Sequence, residues 1–390
     1  MKVGLSTSVI QRGKTGIAQY VFALTRALLD LPDGPELTLF VLEEDRPLFA
    51  FAEGRAQIEI VSEKYRPAVR NILWHQLALP RRVRALGLDV LHVPSYRRML
   101  WSRPCPLVAT IHDLAPFHVT GKYDWKRMFY GRVIVRRLAA RQDEIIAISH
   151  NTAADITRFF QVEAGNMEVV HNGLDHERFC PGEAVSQPQV DHRYFLYVSR
   201  LEHPGKNHVR LIEAFNQFKT ATHSPWLLVL GGSDWHGAEA IHEAAARSPF
   251  ASDIRFLGFV ADEKLPALYR SAGAVVYPSL YEGFGFPPLE AMACGCPVLT
   301  THRGALAEVV GDAASIVDPE NIGEMAVELE RLATDERWRA RLIEAGTQNA
   351  ARFAWRTCAE ATHQIYRQAM AEGQSVMDES RRKESPAWIS

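Results

Sequence analysis

Short apolar runs alternate with amphipathic stretches along almost the whole chain. Lys2–Ser6, Leu37–Leu42, Val90–His92, Leu107–Ile111, Glu144–Ile148 and Met167–Val170 have the length and composition of strands. Between them, Ala18–Asp30 sets Val21, Phe22, Leu24 and Leu28 at helical spacing. Ser149 and Asn151 stand where an N-cap is expected, ahead of a helix over Ala153–Phe160. The stretch Pro181–Pro188 is polar and aperiodic, and it predicts a domain boundary. Alternation then restarts. Strands are predicted over Phe195–Val198, Trp226–Leu230, Ile254–Leu257, Ala274–Tyr277 and Pro297–Thr300. Helices are predicted over Val209–Lys219, Ala238–Ala246, Leu265–Ser271 and Leu289–Ala293. This is the βαβ pattern of parallel sheets covered on both faces, and it occurs twice. The expected α/β architecture is two doubly wound, Rossmann-like domains, residues 1–182 and 189–355, facing a central cleft at the carboxyl ends of their strands. From about Glu372 the composition turns polar and charged, and residues 372–390 read as an unstructured tail.

One segment carries more chemistry than the rest. Glu282 and Glu290 bracket Gly283-Phe284-Gly285-Phe286-Pro287-Pro288-Leu289, between the apolar runs at 274–277 and 297–300. A glycine loop that opens a helix directs backbone N–H groups at a ligand, and the helix dipole favours an anion there. One carboxylate is expected in the loop and the other about two turns into the helix. Acceptors for hydroxyl groups beside an anion site are what a nucleotide-sugar pocket needs.

A chain of 390 residues exceeds one ordinary domain. Its 47% hydrophobic content is enough for a large core, yet no run of about 18 apolar residues reads as a membrane span. The first apolar run ends at Ser6-Thr7-Ser8 with Arg12 and Lys14 following, so it reads as a strand rather than a secretory signal. Five scattered cysteines point to reduced thiols in a cytoplasmic protein, and Cys294-Gly295-Cys296, lacking a second pair, reads as small buried residues rather than metal ligands.

The net charge is −2, but residues 64–141 hold 16 Lys or Arg against Asp89, Asp113 and Asp124. That segment is therefore +13 and the remainder −15. Tyr65, Trp74, Tyr96, Trp101, Tyr123, Trp125, Phe129 and Tyr130 are interleaved with the cations. The mixture suits an anionic membrane surface. An ordinary solvated face over core aromatics gives the same pattern, and no nucleic-acid module is recognisable.

Several other groups are candidates for chemistry. Arg200 and Lys206 flank a turn after the first strand of the second half. Fixed cations there stabilise a diphosphate as it departs, although two surface cations on a loop would look alike. His112 stands at the carboxyl end of Leu107–Ile111, where a histidine can bond a sugar hydroxyl or serve a structural role. Gly13-Lys14-Thr15-Gly16 resembles a P-loop, but Ser8 occupies the place of its first glycine, which excludes a nucleoside triphosphatase. The turn can still bring backbone close to a phosphate or an acceptor. There is no Asp-x-Asp to clamp a metal–diphosphate complex.

Ser199-Arg200…Lys206-Asn207 and Glu282-Gly-Phe-Gly-Phe-Pro-Pro-Leu-Glu290-Ala-Met-Ala-Cys-Gly resemble the signature segments of retaining glycosyltransferases of the GT-B fold, family 4. Segments 148–152, 171–175 and 256–260 follow in the family's order, and the likeness spans nearly all of residues 1–370. The resemblance implies that Arg200 and Lys206 hold the donor diphosphate and that Glu282 bonds the donor sugar. It implies that the backbone of Gly283, Phe284, Gly285 and Phe286 binds the sugar or diphosphate, next to Leu289, and that Glu290 binds the ribose. His112 would contact the donor sugar, Phe259 and Val260 would border the base, and Gly13 and Gly16 would lie near phosphate or acceptor. It also implies a terminal helix, 356–371, that crosses back to the first domain, and no metal or other cofactor. Here Arg200 and Lys206 are six apart where the family has five, with Pro204-Gly205 inserted, a turn that can absorb one residue.

The expected activity is metal-independent transfer of a hexose, with retention, from a nucleotide sugar to a hydroxyl of a lipid-linked saccharide. GDP-mannose is favoured over UDP-hexoses. The expected setting is bacterial surface polysaccharide or O-antigen synthesis at the inner membrane face, with no nucleic acid involved. The alternatives are a UDP-sugar enzyme with a soluble acceptor, a non-catalytic nucleotide-sugar-binding subunit, and a related epimerase or phosphorylase. No Gly-x-Gly-x-x-Gly follows the first strand, which disfavours an oxidoreductase.

Overall fold

The computed structural model describes residues 1–13, 15–118, 130–183 and 193–384. Lys14, Tyr123, Asp124, Trp125, Phe129, the Tyr130 side chain, residues 184–188 of the expected linker and residues 385–390 of the expected tail lie outside that description. Two compact units emerge. The first is built from Met1–Leu114, the stretch that ends at Gly173, and the chain from Trp355 onward. The second is built from Leu174–Ala354 and a short piece beginning at Ala115.

The first unit holds a seven-stranded, wholly parallel sheet: β1 (Lys2–Ser6), β2 (Glu36–Leu42), β3 (Gln57–Val61), β4 (Val90–Val93), β5 (Leu107–Ile111), β6 (Glu144–Ala147) and β7 (Met167–Val169). Their order is β3-β2-β1-β4-β5-β6-β7. The central strands β4, β5 and β6 are buried along their whole length, as expected of mainly apolar strands covered on both faces, with His92, Thr110 and Glu144 as their polar members. Helix α1 (Gly16–Leu29) starts where the Thr15 hydroxyl accepts the Ala18 N–H at 3.2 Å, and it buries Val21, Leu24 and Leu28. Helices α2 (Ala68–Leu77) and α3 (Leu79–Leu86) follow β3, and α4 (His150–Phe160) is capped by Ser149.

The second unit holds six parallel strands: β8 (Tyr194–Val198), β9 (Leu227–Gly231), β10 (Ile254–Gly258), β11 (Ala274–Tyr277), β12 (Val298–Thr301) and β13 (Ser315–Val317). They lie in the order β10-β9-β8-β11-β12-β13. Sequence order reverses between β8 and β11, the place where such sheets take a ligand. Helices α5 (His208–Thr222) and α6 (Phe286–Ala293) start just beyond those two strands.

Three boundaries differ from expectation. The units divide at Gly173/Leu174, ahead of the polar stretch near 181–188. Leu174 pairs with Ala354 and donates to the Phe353 carbonyl at 3.1 Å, and Arg270 donates to the Cys180 carbonyl at 2.9 Å. Those bonds tie 174–180 to the second unit. The C-terminal helix spans Trp355–Glu384 and runs through residue 372, where a loss of structure was expected. Its charged residues are good helix formers, so polarity alone does not end it. Its buried Cys358, Ala359, Ile365, Tyr366 and Ala369 join the core under β1, β2 and α1. Finally, α6 begins at Phe286, so Glu290 lies just over one turn into the helix instead of two.

Candidate active site

Two loops leave the centre of the second sheet, 199–207 after β8 and 278–285 after β11. The Leu280 N–H donates to the Gly205 carbonyl at 3.0 Å. Asn207, at φ +62°, gives its side-chain amide to the Pro278 and Pro319 carbonyls at 3.1 and 2.7 Å. On this frame the Lys206 ammonium meets Glu282 Oε1 at 2.5 Å, and the Tyr277 hydroxyl donates to the same oxygen at 3.1 Å. The side chains of Lys206 and Glu282 are only 16% and 17% exposed, so water screens the pair little. Burial opposes the Lys206 charge, but the Glu282 carboxylate outweighs it and the ammonium titrates above its ordinary value. Burial, reinforced by Glu282, keeps the Tyr277 phenol protonated and a donor. Glu282 Oε2 takes no hydrogen bond among the described residues and is left as an acceptor. The six-residue interval from Arg200 delivers Lys206 because the extra residue coils into a turn, with the Lys206 N–H on the Glu202 carbonyl and the Asn207 N–H on the Pro204 carbonyl.

Arg200 is exposed at the start of the same loop. Its guanidinium lies 4.9 Å from the centre of the Trp235 ring and 3.8 Å from the buried Glu202 carboxylate. Trp235 is held by its own N–H on the Leu201 carbonyl at 3.1 Å. Sequence reasoning missed Trp235, although Gly231-Gly232 just before it signals a close approach. At Gly232 (φ +154°) a Cβ would stand 1.8 Å from the Ser199 carbonyl oxygen. Gly304 plays the same part for the other loop: a Cβ there would meet the Glu282 carbonyl oxygen at 2.3 Å.

Gly283, Phe284 and Gly285 are buried in the turn that leads into α6. Pro287 and Pro288 occupy the next helical positions and carry no N–H, so backbone donors in this turn come from residues up to Phe286. Leu289 is fully buried and gives its N–H to the Gly285 carbonyl, so its contribution is to the core under the turn. Glu290 accepts from the Tyr269 hydroxyl at 2.8 Å. Burial pushes its carboxyl up to about 7, with Tyr269 and Arg178 pulling the other way. Phe259 is 77% exposed beyond β10, and Val260 packs where a Cβ on Gly231 would come within 3.1 Å.

In the first unit, His112 follows the last residue of β5, with its ring edge-on to Tyr20 at 4.7 Å. Burial lowers it to about 4, leaving it neutral, and its Nε2 has no partner among the described residues. Beneath it runs a buried chain of hydrogen bonds: Tyr366 OH to His92 Nδ1 at 2.7 Å, His92 Nε2 to Thr110 Oγ1 at 2.7 Å, and Thr110 Oγ1 to Tyr20 OH at 3.0 Å. Gly13 closes the turn after β1 with its N–H on the Ile10 carbonyl, and Gly16 opens α1 where an added Cβ would meet none of the described residues within 4 Å. Cys294 and Cys296 are both buried. Burial pushes the Cys294 thiol up to about 12 and the Cys296 thiol higher still, so both stay protonated.

Residues 14–178 match the model of Glycosyltransferase Family 4, and residues 183–349 match that of the glycosyl transferases group 1. The chain belongs to the family 4 glycosyltransferases. It is 27% identical to the O-antigen chain mannosyltransferase B of Escherichia coli, over 94% of this chain and 100% of that protein. It is 30% identical to the MMP alpha-(1->4)-mannosyltransferase of Mycolicibacterium hassiacum, over 68% of this chain and 66% of that one. Among solved structures, sucrose-phosphate synthase from Thermosynechococcus elongatus superposes with a TM-score of 0.77 at 21% identity, over 95% of this chain and 100% of that one. Anabaena Alr3699/HepE in complex with UDP and glucose superposes at 0.71 with 20% identity, over 93% and 98%. At these identities the superpositions show the GT-B fold of the glycosyltransferase.

Proposed function

We propose that the protein transfers mannose, with retention of anomeric configuration, from GDP-mannose to a hydroxyl of a lipid-linked saccharide in O-antigen or related surface polysaccharide synthesis, as a peripheral protein at the inner membrane face. The observation that carries the reading is the Lys206–Glu282–Tyr277 cluster at the reversal of strand order, with Glu282 Oε2 left over as an acceptor. Lys206 and Arg200 neutralise the diphosphate as its bond to the anomeric carbon breaks, and Glu282 Oε2 receives a sugar hydroxyl. These are positioning and charge effects, strongest when the leaving group is most negative. No enzymatic nucleophile is required if the departing phosphate oxygen takes the acceptor's proton on the same face. Ionised Glu290 accepts the ribose hydroxyls, and neutral His112 offers Nε2 to a hydroxyl of the bound saccharide. The chain's own cations take the place of a metal. The mannose donor and O-antigen acceptor are supported by the E. coli relative, which aligns along its full length.

The test is transfer measured with a panel of nucleotide sugars. GDP-mannose is expected to raise the melting temperature and support turnover, and Arg200→Ala to cut turnover by about 10²-fold or more. Stabilisation by UDP-hexoses alone, or unchanged turnover in Arg200→Ala, defeats the assignment.

A further inference from the structure

We propose that the outer face of α2 and α3 is a docking surface for an anionic lipid bilayer. Helix α2 buries Asn71, Trp74 and His75. It turns Val69, Leu73 and Leu77 to solvent, at 71%, 51% and 57% exposure. Spacing of four puts the three on one stripe of the helix. Isolated exposed aliphatics need no explanation, but a stripe of three on the solvent side of an otherwise well-packed helix marks a contact surface. Ala78 keeps helical geometry between α2 and α3, so the face continues, and Arg81 is the next position at the same spacing. Arg70, Arg81 and Arg84 are exposed and form no ion pair among the described residues.

Trp101 joins this face. Its N–H donates to the Gln76 side chain at 2.9 Å, and Gln76 in turn donates to the Met99 carbonyl, which pins the turn to α2. The indole is 51% exposed. Arg141 lies with its guanidinium 5.0 Å from the Trp101 ring centre and its Nε on the Trp101 carbonyl. An indole with a cation on its face suits the headgroup level of a bilayer, with the aliphatic stripe just below it.

Charge selects the occupant. Residues 64–141 carry +13 while the rest of the chain carries −15. Within that stretch the two helices, from Ala68 to Leu86, hold Arg70, Arg81, Arg82 and Arg84 and no acidic residue, so an anionic surface attracts this face. A second copy of the chain would bring the same unpaired arginines against one another. No described helix is long and apolar enough to cross a membrane, so the contact is interfacial. The proposal supplies the surface through which a lipid-linked acceptor would be met, and for that role alone it rests on the function proposed above.

The experiment is flotation of the full chain with vesicles of phosphatidylethanolamine and phosphatidylglycerol, against phosphatidylcholine alone, without donor or acceptor. Binding is expected to the first, to weaken with salt, and to be absent from the second. The Leu73→Ser/Leu77→Ser variant is expected to lower partitioning by about tenfold or more, and Arg70→Gln and Arg81→Gln by about fivefold each. All four side chains are exposed, and unchanged far-UV circular dichroism verifies the fold. Absence of wild-type binding, or equal partitioning of all variants, overturns the proposal. So does a wild-type dimer in sedimentation equilibrium that the leucine variant dissociates, which assigns the face to a second copy. Vesicle binding without sugar transfer defeats only the transferase assignment, and transfer without vesicle binding defeats only the docking surface.

Discussion

At about pH 8, Glu290→Gln is expected to melt above the wild-type protein, although it removes a residue placed in the donor site. Burial raises the Glu290 carboxyl from 4.5 to about 7. A carboxyl that holds its proton more tightly when folded stabilises the fold fully below 4.5, and that contribution is lost as pH rises through about 7. At about 1.4 kcal/mol per pH unit, the interval sets a ceiling of about 3.5 kcal/mol. The side chain is partly exposed, and screening reduces the expected effect to about 2 kcal/mol. Glutamine does not titrate, and its carbonyl still accepts from Tyr269. The variant is therefore expected to gain about 4–8 °C near pH 8 and nothing near pH 4.5. Calorimetry of both proteins across that range, without ligand, measures the difference. A melting-temperature gap of the same size at both ends refutes the account, because burial of a charge would then not be its cause. Donor affinity moves the other way: the variant loses a carboxylate acceptor, and wild-type affinity falls as pH drops below about 7.

Trp235→Ala frees the Arg200 guanidinium from the ring it covers. A cation–π contact at an exposed site is worth about 0.5–1 kcal/mol, so turnover is expected to fall about two- to fivefold with KM little changed. Steady-state kinetics check this, with Trp235→Phe recovering most of the loss; a rise in KM alone would show that Trp235 acts on binding. Gly232→Ala drives a methyl into the Ser199 carbonyl and is expected to cost about 3 kcal/mol, seen as a fall of about 10 °C in melting temperature. Melting at the wild-type temperature would place the glycine's role elsewhere.

Doubly buried strands were legible. β1, β5 and β11 span the residues expected of them, because each is a short, mainly apolar run with turn residues or proline beside it. Of the four edge strands, β7 and β10 fall where they were expected, but β3 and β13 were not legible. β3 alternates Gln-Ile-Glu-Ile-Val with four of its five residues only partly covered or exposed, and β13 has three residues, too few to set a period. The turn bearing Glu282 could be placed because glycine and proline constrain backbone directly. The partners of Glu282 could not. Tyr277 is one more apolar residue in a buried run until β11 fixes which way its hydroxyl points, and Trp235 stands 35 positions from Arg200 until the two loops close on each other. The expected helix start at Leu289 came three residues late because the pair Pro287-Pro288 looked like part of the loop, whereas proline is well tolerated in a first helical turn.

The hydrogen bond from Tyr366 to His92 bears on how this protein can be recombined with its relatives. A chimera that joins residues 1–173 of this chain to the remainder of another would inherit a foreign terminal helix. If that helix lacks a hydroxyl in register, His92 keeps a ring nitrogen with no partner in the interior, a loss of about 1–3 kcal/mol before any mismatch around Ile365 and Ala369 is counted. Residues 355–384 therefore travel with the first 173 as one genetic cassette, although 181 residues of the other unit separate them in the gene.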